Sequence, residues 1–207
     1  MALCHAPGYQ DEHRESLAQD WAHVPLPVDR DLFETLADAG QLVATLLDPN
    51  QDAREIIREL LPAAGSFAVL TRADGRAVQR RDLVVTISHF GAARGGWRPT
   101  SEAETEAEAV SGSDVPGDLY ISDNIFFKNV PESVWRYELG GYPVLKKWLG
   151  YRDARRRNNE PLTLKEKDHL REIVQRIAAL LVLYPWLNSL YEQAAANAWT
   201  RREVGME

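Results

Sequence analysis

The chain has 207 residues, enough for one domain with a core or for two small subdomains that share one, and we expect the latter. Hydrophobic residues make up 44% of it and six are Trp, a composition typical of a folded protein. No apolar run approaches the roughly 20 residues that cross a bilayer, and the start lacks a basic segment followed by an apolar one. We therefore expect a cytoplasmic protein with no membrane partner. The single cysteine, Cys4, excludes an internal disulfide and a cysteine-based zinc site.

The formal net charge of -7 opposes a nucleic-acid role, because nonspecific DNA affinity comes largely from Lys and Arg that neutralise phosphates. The distribution of charge weakens this objection. Acidic residues concentrate between positions 11 and 59 and again between 102 and 108, whereas basic residues cluster between 146 and 157. One face can therefore be basic on an acidic molecule. The alternative is that the basic cluster only solvates a surface loop.

Residues 1–62 are predicted to be helical. Asp31-Leu32-Phe33-Glu34 has the form of a capping box, and apolar residues recur at helical spacing until Asp48-Pro49-Asn50 ends the helix. A second short helix is expected to end at Pro62.

From residue 66 the pattern changes to strands. Two β-rich runs, 67–70 and 83–87, flank Asp74-Gly75, which predicts a hairpin. Residues 91–98 are expected to form a flexible loop, and a further strand is expected over 119–127. The acidic stretch 100–117 is too poor in apolar residues to form a core and is predicted to be a mobile insertion.

The last part of the chain, 161–207, is predicted to be a helical hairpin. Thr163-Leu164-Lys165-Glu166 is a second capping box that opens an apolar stripe, and Pro185 is expected to end the first helix. The fold class is therefore α+β. A helical part over 1–62 is followed by a β-rich part over 63–160 with a small, mostly antiparallel sheet, and then by the helical hairpin.

The most informative segment spans residues 133–152. Read at period two, Trp135, Tyr137 and Leu139 share one face of a predicted strand. Gly140-Gly141 ends this strand, since two glycines allow turn conformations that other residues avoid and permit close approach of a phosphate or another chain. A short basic helix is expected to follow.

This segment closely resembles the C-terminal target-recognition region of Type ISP restriction-modification enzymes and related adenine-specific DNA methyltransferases. The residues that match the recurring signature of that region are Trp135, Gly140, Gly141, Tyr142, Lys147 and Trp148. Residues 3–27 look like the passage that follows the methyltransferase core, and the helix after Pro161 looks like the closing part of the family. The resemblance covers nearly the whole chain. Its signature preserves either a fold or a contact, and one sequence does not separate the two.

The resemblance implies a recognition part without its catalytic parts. A methyltransferase of this class carries a glycine-containing loop for S-adenosylmethionine and an Asn-Pro-Pro-Tyr or Asn-Pro-Pro-Phe element that holds the flipped adenine, and this sequence has neither. Helicase and nuclease motifs are also missing. We therefore expect no catalytic residue, no metal and no cofactor in this chain. The expected partners are duplex DNA and a methyltransferase core, in cis or in trans.

Residues that can reach DNA from loops or strand ends are predicted to bind it, because Arg reads guanine, Asn reads adenine, and both Lys and Arg hold phosphates. These predicted residues are Arg94, Trp97, Arg98, Lys128, Asn129, Lys146, Lys147, Arg152, Arg155, Arg156, Arg157 and Asn158. Trp97 is expected to stack on a base or to wedge a groove. Four other aromatic residues are expected in the core from their spacing: Trp135, Tyr137, Trp148 and Tyr151.

The leading hypothesis is a noncatalytic domain that recognises a duplex-DNA sequence for a restriction-modification methyltransferase. The alternative is a protein-interaction scaffold of the same system, whose acidic N-terminal helices contact a partner protein. One contiguous basic face favours the first, and dispersed basic residues favour the second. A third hypothesis, a small enzyme, requires a polar pocket, and the sequence contains no pattern that indicates one.

Overall fold

The computed structural model describes residues 1–19, 23–61, 65–87, 95–100 and 114–199, with the backbone alone at 18 and 19. The fold is α+β, as expected. The chain divides into two compact units, one formed by Met1–Ile56 with Ala179–Glu207 and the other by Ile57–Ala178.

The N-terminal part is helical, as predicted. Its elements are a 3-10 turn at Leu3–His5 and the helices α1 (Pro7–Glu12), α2 (Arg14–Gln19), α3 (Arg30–Leu47) and α4 (Arg54–Leu60). Helix α3 ends at the predicted place, but the capping box predicted for it is wrong. The N-cap is Asp29, whose carboxylate accepts a hydrogen bond from the backbone N–H of Asp31 at 2.9 Å. Glu34 instead pairs with Arg30 at 2.8 Å on the helix surface.

Helix α7 (Leu164–Ala196) begins with the predicted capping box. The backbone N–H of Thr163 donates to Glu166 Oε2 at 2.9 Å, and the N–H of Glu166 donates to Thr163 Oγ1 at 3.2 Å. The predicted hairpin, however, is wrong, because Pro185 lies inside one continuous helix. Leu183 and Leu187 are buried on either side of the proline. The burial of this continued stripe offsets the backbone hydrogen bond that proline cannot donate.

The second half of α7 packs within its own unit against α1. The backbone N–H of Gly8 donates to Asn188 Oδ1 at 2.7 Å, and the Tyr191 hydroxyl donates to Glu12 Oε2 at 2.5 Å. Burial, together with this hydrogen bond to Glu12, raises the pKa of Tyr191 to about 12. The Tyr191 ring also lies edge-on to the fully buried ring of Tyr9. These contacts explain why the helix does not stop at its proline.

Among the described residues, α7 is the one helix long and apolar enough to cross a bilayer. The prediction that no apolar segment approaches the length needed to cross a bilayer is therefore wrong on length and composition. Half of its most apolar window is buried inside the protein, and the buried residues include Leu180, Leu187 and Ala194. Since core helices of soluble proteins share this composition, it is weak evidence for a membrane.

The second unit contains an antiparallel sheet of four strands in the order β1-β4-β3-β2. The strands are β1 (Val69–Arg72), β2 (Gly96–Pro99), β3 (Gly117–Tyr120) and β4 (Ile125–Lys128). The predicted hairpin between runs 67–70 and 83–87 is wrong, because β1 pairs with β4. Asp74-Gly75 does form a turn, with φ +73° at Gly75. The chain then passes through a 3-10 turn at Arg80–Asp82, and Val85 makes only an isolated bridge to Asp153.

Other strand predictions also need correction. The single strand expected over 119–127 is two strands, β3 and β4, which reverse through Ser122-Asp123-Asn124. The loop expected over 91–98 ends in strand β2, so that Trp97 and Arg98 belong to the sheet. Residues 88–94 and most of the predicted insertion, 101–113, lie outside the described part of the chain.

The signature segment begins with a helix rather than the predicted strand. Trp135 lies in α5 (Glu132–Arg136), which starts after Pro131 and is supported by a Glu132–Arg136 ion pair of 2.5 Å at helical spacing. The short strands β5 (Glu138–Leu139) and β6 (Tyr142–Pro143) then form a hairpin. The predicted basic helix follows as α6 (Val144–Tyr151).

Replacing Pro185 by Ala should raise the free energy of unfolding by about 1–3 kcal/mol, because alanine restores a helical hydrogen bond and removes the ring clash. Urea denaturation followed by circular dichroism measures this. The matched control is Pro161→Ala, in the non-helical segment before α7, where no gain is expected. Equal effects of the two substitutions would contradict a continuous helix through position 185.

Candidate nucleic-acid interface

The Gly140-Gly141 turn presents Tyr142 at the protein surface. Both glycines have positive φ, +56° and +77°, as a tight two-residue hairpin turn requires. A Cβ built at either position meets no atom within 4 Å. The glycines are therefore required by backbone conformation, and not by the packing of neighbouring side chains.

Next to this turn lies a surface that we call the cationic tyrosine face, formed by Tyr142, Lys147, Tyr151 and Arg156. Lys147 Nζ lies 6.0 Å from the centroid of the Tyr142 ring, and Arg156 Cζ lies 5.8 Å from that of Tyr151. The neighbouring Tyr151 hydroxyl raises the pKa of Tyr142, so the two tyrosines belong to the same face. Tyr151 is 54% exposed, so its predicted core position is wrong. The core position is confirmed for Tyr137 and Trp148.

The cations of this region are not neutralised within the described part of the chain. Lys147, Arg155 and Arg156 are exposed, and no carboxylate among the described residues lies within 4.0 Å of their charged groups. Arg155 follows Asp153, whose carboxylate accepts the Arg155 backbone N–H at 3.0 Å. The backbone is thus held while the guanidinium group extends into solvent.

Arg152 and Arg157, by contrast, pair with Glu166. Arg152 Nε lies 3.2 Å and Arg157 Nη1 lies 2.9 Å from Glu166 Oε1. The Arg152 guanidinium also stacks 3.9 Å from the centroid of the Trp148 ring. Burial alone would raise the pKa of Glu166, but hydrogen bonds from Thr163 and Arg157 outweigh it and lower that pKa. Both arginines therefore stabilise the fold.

A second feature, which we call the tryptophan cleft, has a volume of about 460 Å³. Its lining residues are Trp97, Glu132, Trp135, Arg136, Glu138 and Lys146. The Trp97 indole N–H donates to the Val130 carbonyl at 2.7 Å. Lys146 Nζ lies 5.6 Å from the centroid of the Trp135 ring. Trp135 is half-buried rather than fully in the core.

The remaining predicted DNA-binding residues lie at other places. Arg98 stacks 4.0 Å from the Tyr120 ring centroid and is 3.9 Å from Asp123. Lys128 is exposed at the end of β4. Asn158 is exposed with φ +52°, and Arg94 lies outside the described residues.

Asn129, also predicted to bind DNA, is engaged within the protein. Its side-chain amide donates to the Ser66 carbonyl at 2.9 Å, and its backbone N–H donates to Asp118 Oδ1 at 3.0 Å. Its φ of +59° is one that Asn tolerates better than most residues. These contacts hold the turn after β4.

Sequence reasoning missed Glu132, Arg136 and Glu138 of the cleft. The signal that could have found the first two was their spacing of four residues, which favours a helix and an ion pair on its surface. In the part of the chain that the structure describes, no group of three or more His, Cys, Asp or Glu side chains is arranged to hold a metal.

The fold and these two features define an α+β protein that presents cations and aromatic rings on one part of its surface. The family described as the Type ISP C-terminal specificity domain matches residues 1–179, and the chain belongs to this family. It is thus a target-recognition domain of a restriction-modification system, as its signature predicted. No curated protein and no solved structure matches the sequence.

Substituting Gly140 tests whether the signature requires a conformation. Gly140→Asn should change the free energy of unfolding by less than about 0.5 kcal/mol, since Asn-Gly suits a turn with positive φ. Gly140→Val should lower it by about 1–2 kcal/mol, since a β-branched residue is strained there. Thermal and urea unfolding measure both. Destabilisation by Asn as large as that by Val would contradict the conformational explanation.

Glu166→Gln should lower the free energy of unfolding at pH 7 by about 1–3 kcal/mol, because the amide cannot satisfy both arginines. Since the folded-state pKa lies below the ordinary 4.5, the carboxylate stabilises the fold above that value. This contribution is lost as the pH falls through the folded-state pKa.

Urea unfolding at pH 7 and pH 3 measures this pH dependence. The free energy of unfolding should fall less between the two pH values in Glu166→Gln than in the unmodified protein. The matched control is Glu160→Gln. The Glu160 carboxylate is more exposed and lies 3.6 Å from Arg157, so this substitution should change the free energy of unfolding by less than about 0.5 kcal/mol. Equal losses for the two variants would contradict the special role of Glu166.

Proposed function

We propose that this chain is a noncatalytic domain that binds duplex DNA in a sequence-specific manner through the cationic tyrosine face and the neighbouring Arg155. The observation that carries this proposal is the cluster of exposed cations without carboxylate partners among the described residues, beside two exposed tyrosines. Membership in the specificity-domain family supports it. Such a domain supplies recognition, while the methyl transfer belongs to another part of the system.

The chemistry of this face suits a phosphate backbone. Lysine and arginine neutralise phosphates and release counterions, and tyrosine hydroxyls donate hydrogen bonds to phosphate oxygens. The Tyr142 and Tyr151 rings also lie beside the cations, which restricts the freedom of the long side chains. A negative overall charge keeps nonspecific affinity low, so that binding depends on this local surface.

The partner in this proposal is a methyltransferase core, in cis or in trans, that acts on an adenine. Cofactor and catalytic groups would reside in that core, and the system would work in the cytoplasm. The isolated domain would bind DNA weakly, because only part of the interface is present and the remaining charge repels phosphates.

One observation favours the alternative, a protein-interaction scaffold. The helical unit has an apolar groove of about 210 Å³ whose lining includes Leu3, Val24, Leu26 and Phe33. Phe33 is 51% exposed, although it belongs to the apolar stripe predicted for α3. An exposed apolar surface of this kind suits contact with another protein. The methyltransferase core is its proposed occupant, and this contact is compatible with DNA binding by the other unit.

The DNA-binding proposal predicts a loss of affinity when Lys147, Arg155 and Arg156 are replaced together by Ala. If each holds one phosphate, the slope of log affinity against log salt should flatten by about 2.7, since each phosphate contact contributes about 0.9. Fluorescence anisotropy with a randomised duplex pool across a salt series measures this, with enrichment of bound sequences as a second readout.

The matched control removes the same charge elsewhere, by replacing Arg30, Arg54 and Arg76 with Ala. These side chains are at least 80% exposed, and their removal should leave the salt slope nearly unchanged. Equal flattening by both triple variants would show only a general charge effect. The absence of binding at low salt, with the methyltransferase core added, would overturn the proposal in favour of the scaffold.

A further inference from the structure

The tryptophan cleft is separate in chemistry from the cationic tyrosine face. Two indoles, two cations and two carboxylates line it, whereas the face carries cations and tyrosines and no carboxylate. We infer that the cleft receives one unstacked base with an exocyclic amino group, cytosine foremost, and that Lys146 holds the adjoining phosphate. This inference rests on the proposed function and deepens it, because it assigns a base-reading site beside the backbone-binding surface.

The indoles provide a preorganised stacking surface. The hydrogen bond from Trp97 Nε1 to Val130 fixes one ring. A Cβ built on Gly117 would lie 2.4 Å from that ring, so the ring packs directly on the Gly117 backbone and has no space to move that way. Trp135 projects from α5 and also lines the cleft. Stacking of a base on an aromatic side chain contributes about 1–3 kcal/mol, and it costs less when the ring is already fixed.

The size of the cleft selects a single nucleotide. A volume of about 460 Å³ lies within the usual range for small-molecule sites and accommodates a base with its sugar, while a duplex is too wide to enter. A base that enters must therefore leave its stack. The cost is a few kcal/mol and is least for a base that is already unpaired.

The two carboxylates are not equivalent, and this difference gives the selectivity. Glu132 Oε1 accepts hydrogen bonds from Arg136 Nε and Nη2 at 2.8 and 2.5 Å, so the charge of this carboxylate is offset within the protein. Glu138 is exposed on β5 and has no ion pair among the described residues. An ionised carboxylate only accepts hydrogen bonds. It therefore favours the N4 amino group of cytosine and disfavours thymine, whose O4 in the same place is also an acceptor.

The first experiment uses the full chain labelled with ¹⁵N and titrates deoxycytidine 5′-monophosphate or thymidine 5′-monophosphate. The indole N–H signals of Trp97 and Trp135 should shift, with cytidylate binding about fivefold more tightly, the low end expected for one base contact. Glu138→Gln should remove this preference, and Lys146→Ala should weaken both nucleotides equally. Both side chains are exposed, so the folded state should persist. Trp186, on α7, is the control indole and should not move.

The inference is overturned if the Trp135 signal is unchanged at about 10 mM cytidylate, a concentration that detects even very weak binding. It is also overturned if the two nucleotides bind equally or if Trp186 shifts in parallel with Trp135.

The second experiment separates this inference from the proposed function. Anisotropy compares a fully paired duplex with duplexes that carry one bulged cytosine or one bulged thymine. The duplex with the bulged cytosine should bind about tenfold more tightly than the paired duplex, because a bulged base is already unpaired and needs less free energy to leave its stack. Glu138→Gln should abolish this gain and leave paired-duplex binding unchanged. Paired-duplex binding without any gain from the bulged cytosine would overturn the cleft inference and leave the proposed function standing. Nucleotide binding in the cleft without duplex binding would overturn the proposed function alone.

Discussion

The geometry of the whole basic region depends on the carboxylate of Glu166. One oxygen closes the capping box that begins α7, and the other accepts Arg152 and Arg157. A single side chain therefore starts the long helix and ties it to the segment between α6 and α7. Because Arg152 and Arg157 flank Arg155 and Arg156, this one group also fixes the backbone from which the exposed arginines extend. The fold uses two arginines internally and leaves the two between them for solvent or a partner.

The tyrosine pair arises from local requirements of the same kind. The two-residue turn needs positive φ at both positions, which Gly140 and Gly141 provide. The turn leads directly into α6, whose first turns carry Lys146 and Lys147 and whose last residue is Tyr151. The turn and the helix length together bring Tyr142 and Tyr151 close to one another. The family signature thus encodes a conformation first, and the exposed surface follows from it.

Sequence alone predicted the features that depend on neighbours in the chain. The box at Thr163 is correct because its two partners satisfy each other, whereas the box predicted at Asp31 is wrong because Asp29, two residues earlier, caps α3. The hairpin at Pro185 was wrong because burial of Leu187 and Tyr191 outweighs local propensity. The pairing of β1 with β4 joins residues more than fifty positions apart, which no local turn signal reports. Residue type identifies the basic candidates as a class, and their contact with DNA stays a prediction. Which arginines form internal ion pairs depends on the position of Glu166 in the tertiary structure, which the sequence pattern does not show.

On the proposed assignment, the two surfaces place different parts of recognition on neighbouring residues of one helix. Lys147 lies beside the Tyr142 ring of the face, while Lys146 lies beside the Trp135 ring of the cleft. Successive helical side chains project about 100° apart, so α6 separates the two directions by its own geometry. Phosphate contacts set the register of a protein on DNA, and base contacts supply sequence information. A rigid helix that carries one lysine for the duplex backbone and the next for the phosphate of the unstacked nucleotide would couple register to base identity, since a shift along the backbone would move Lys146 away from its nucleotide. On the proposed assignment, specificity arises from this fixed spacing, even on a chain whose net charge opposes DNA binding.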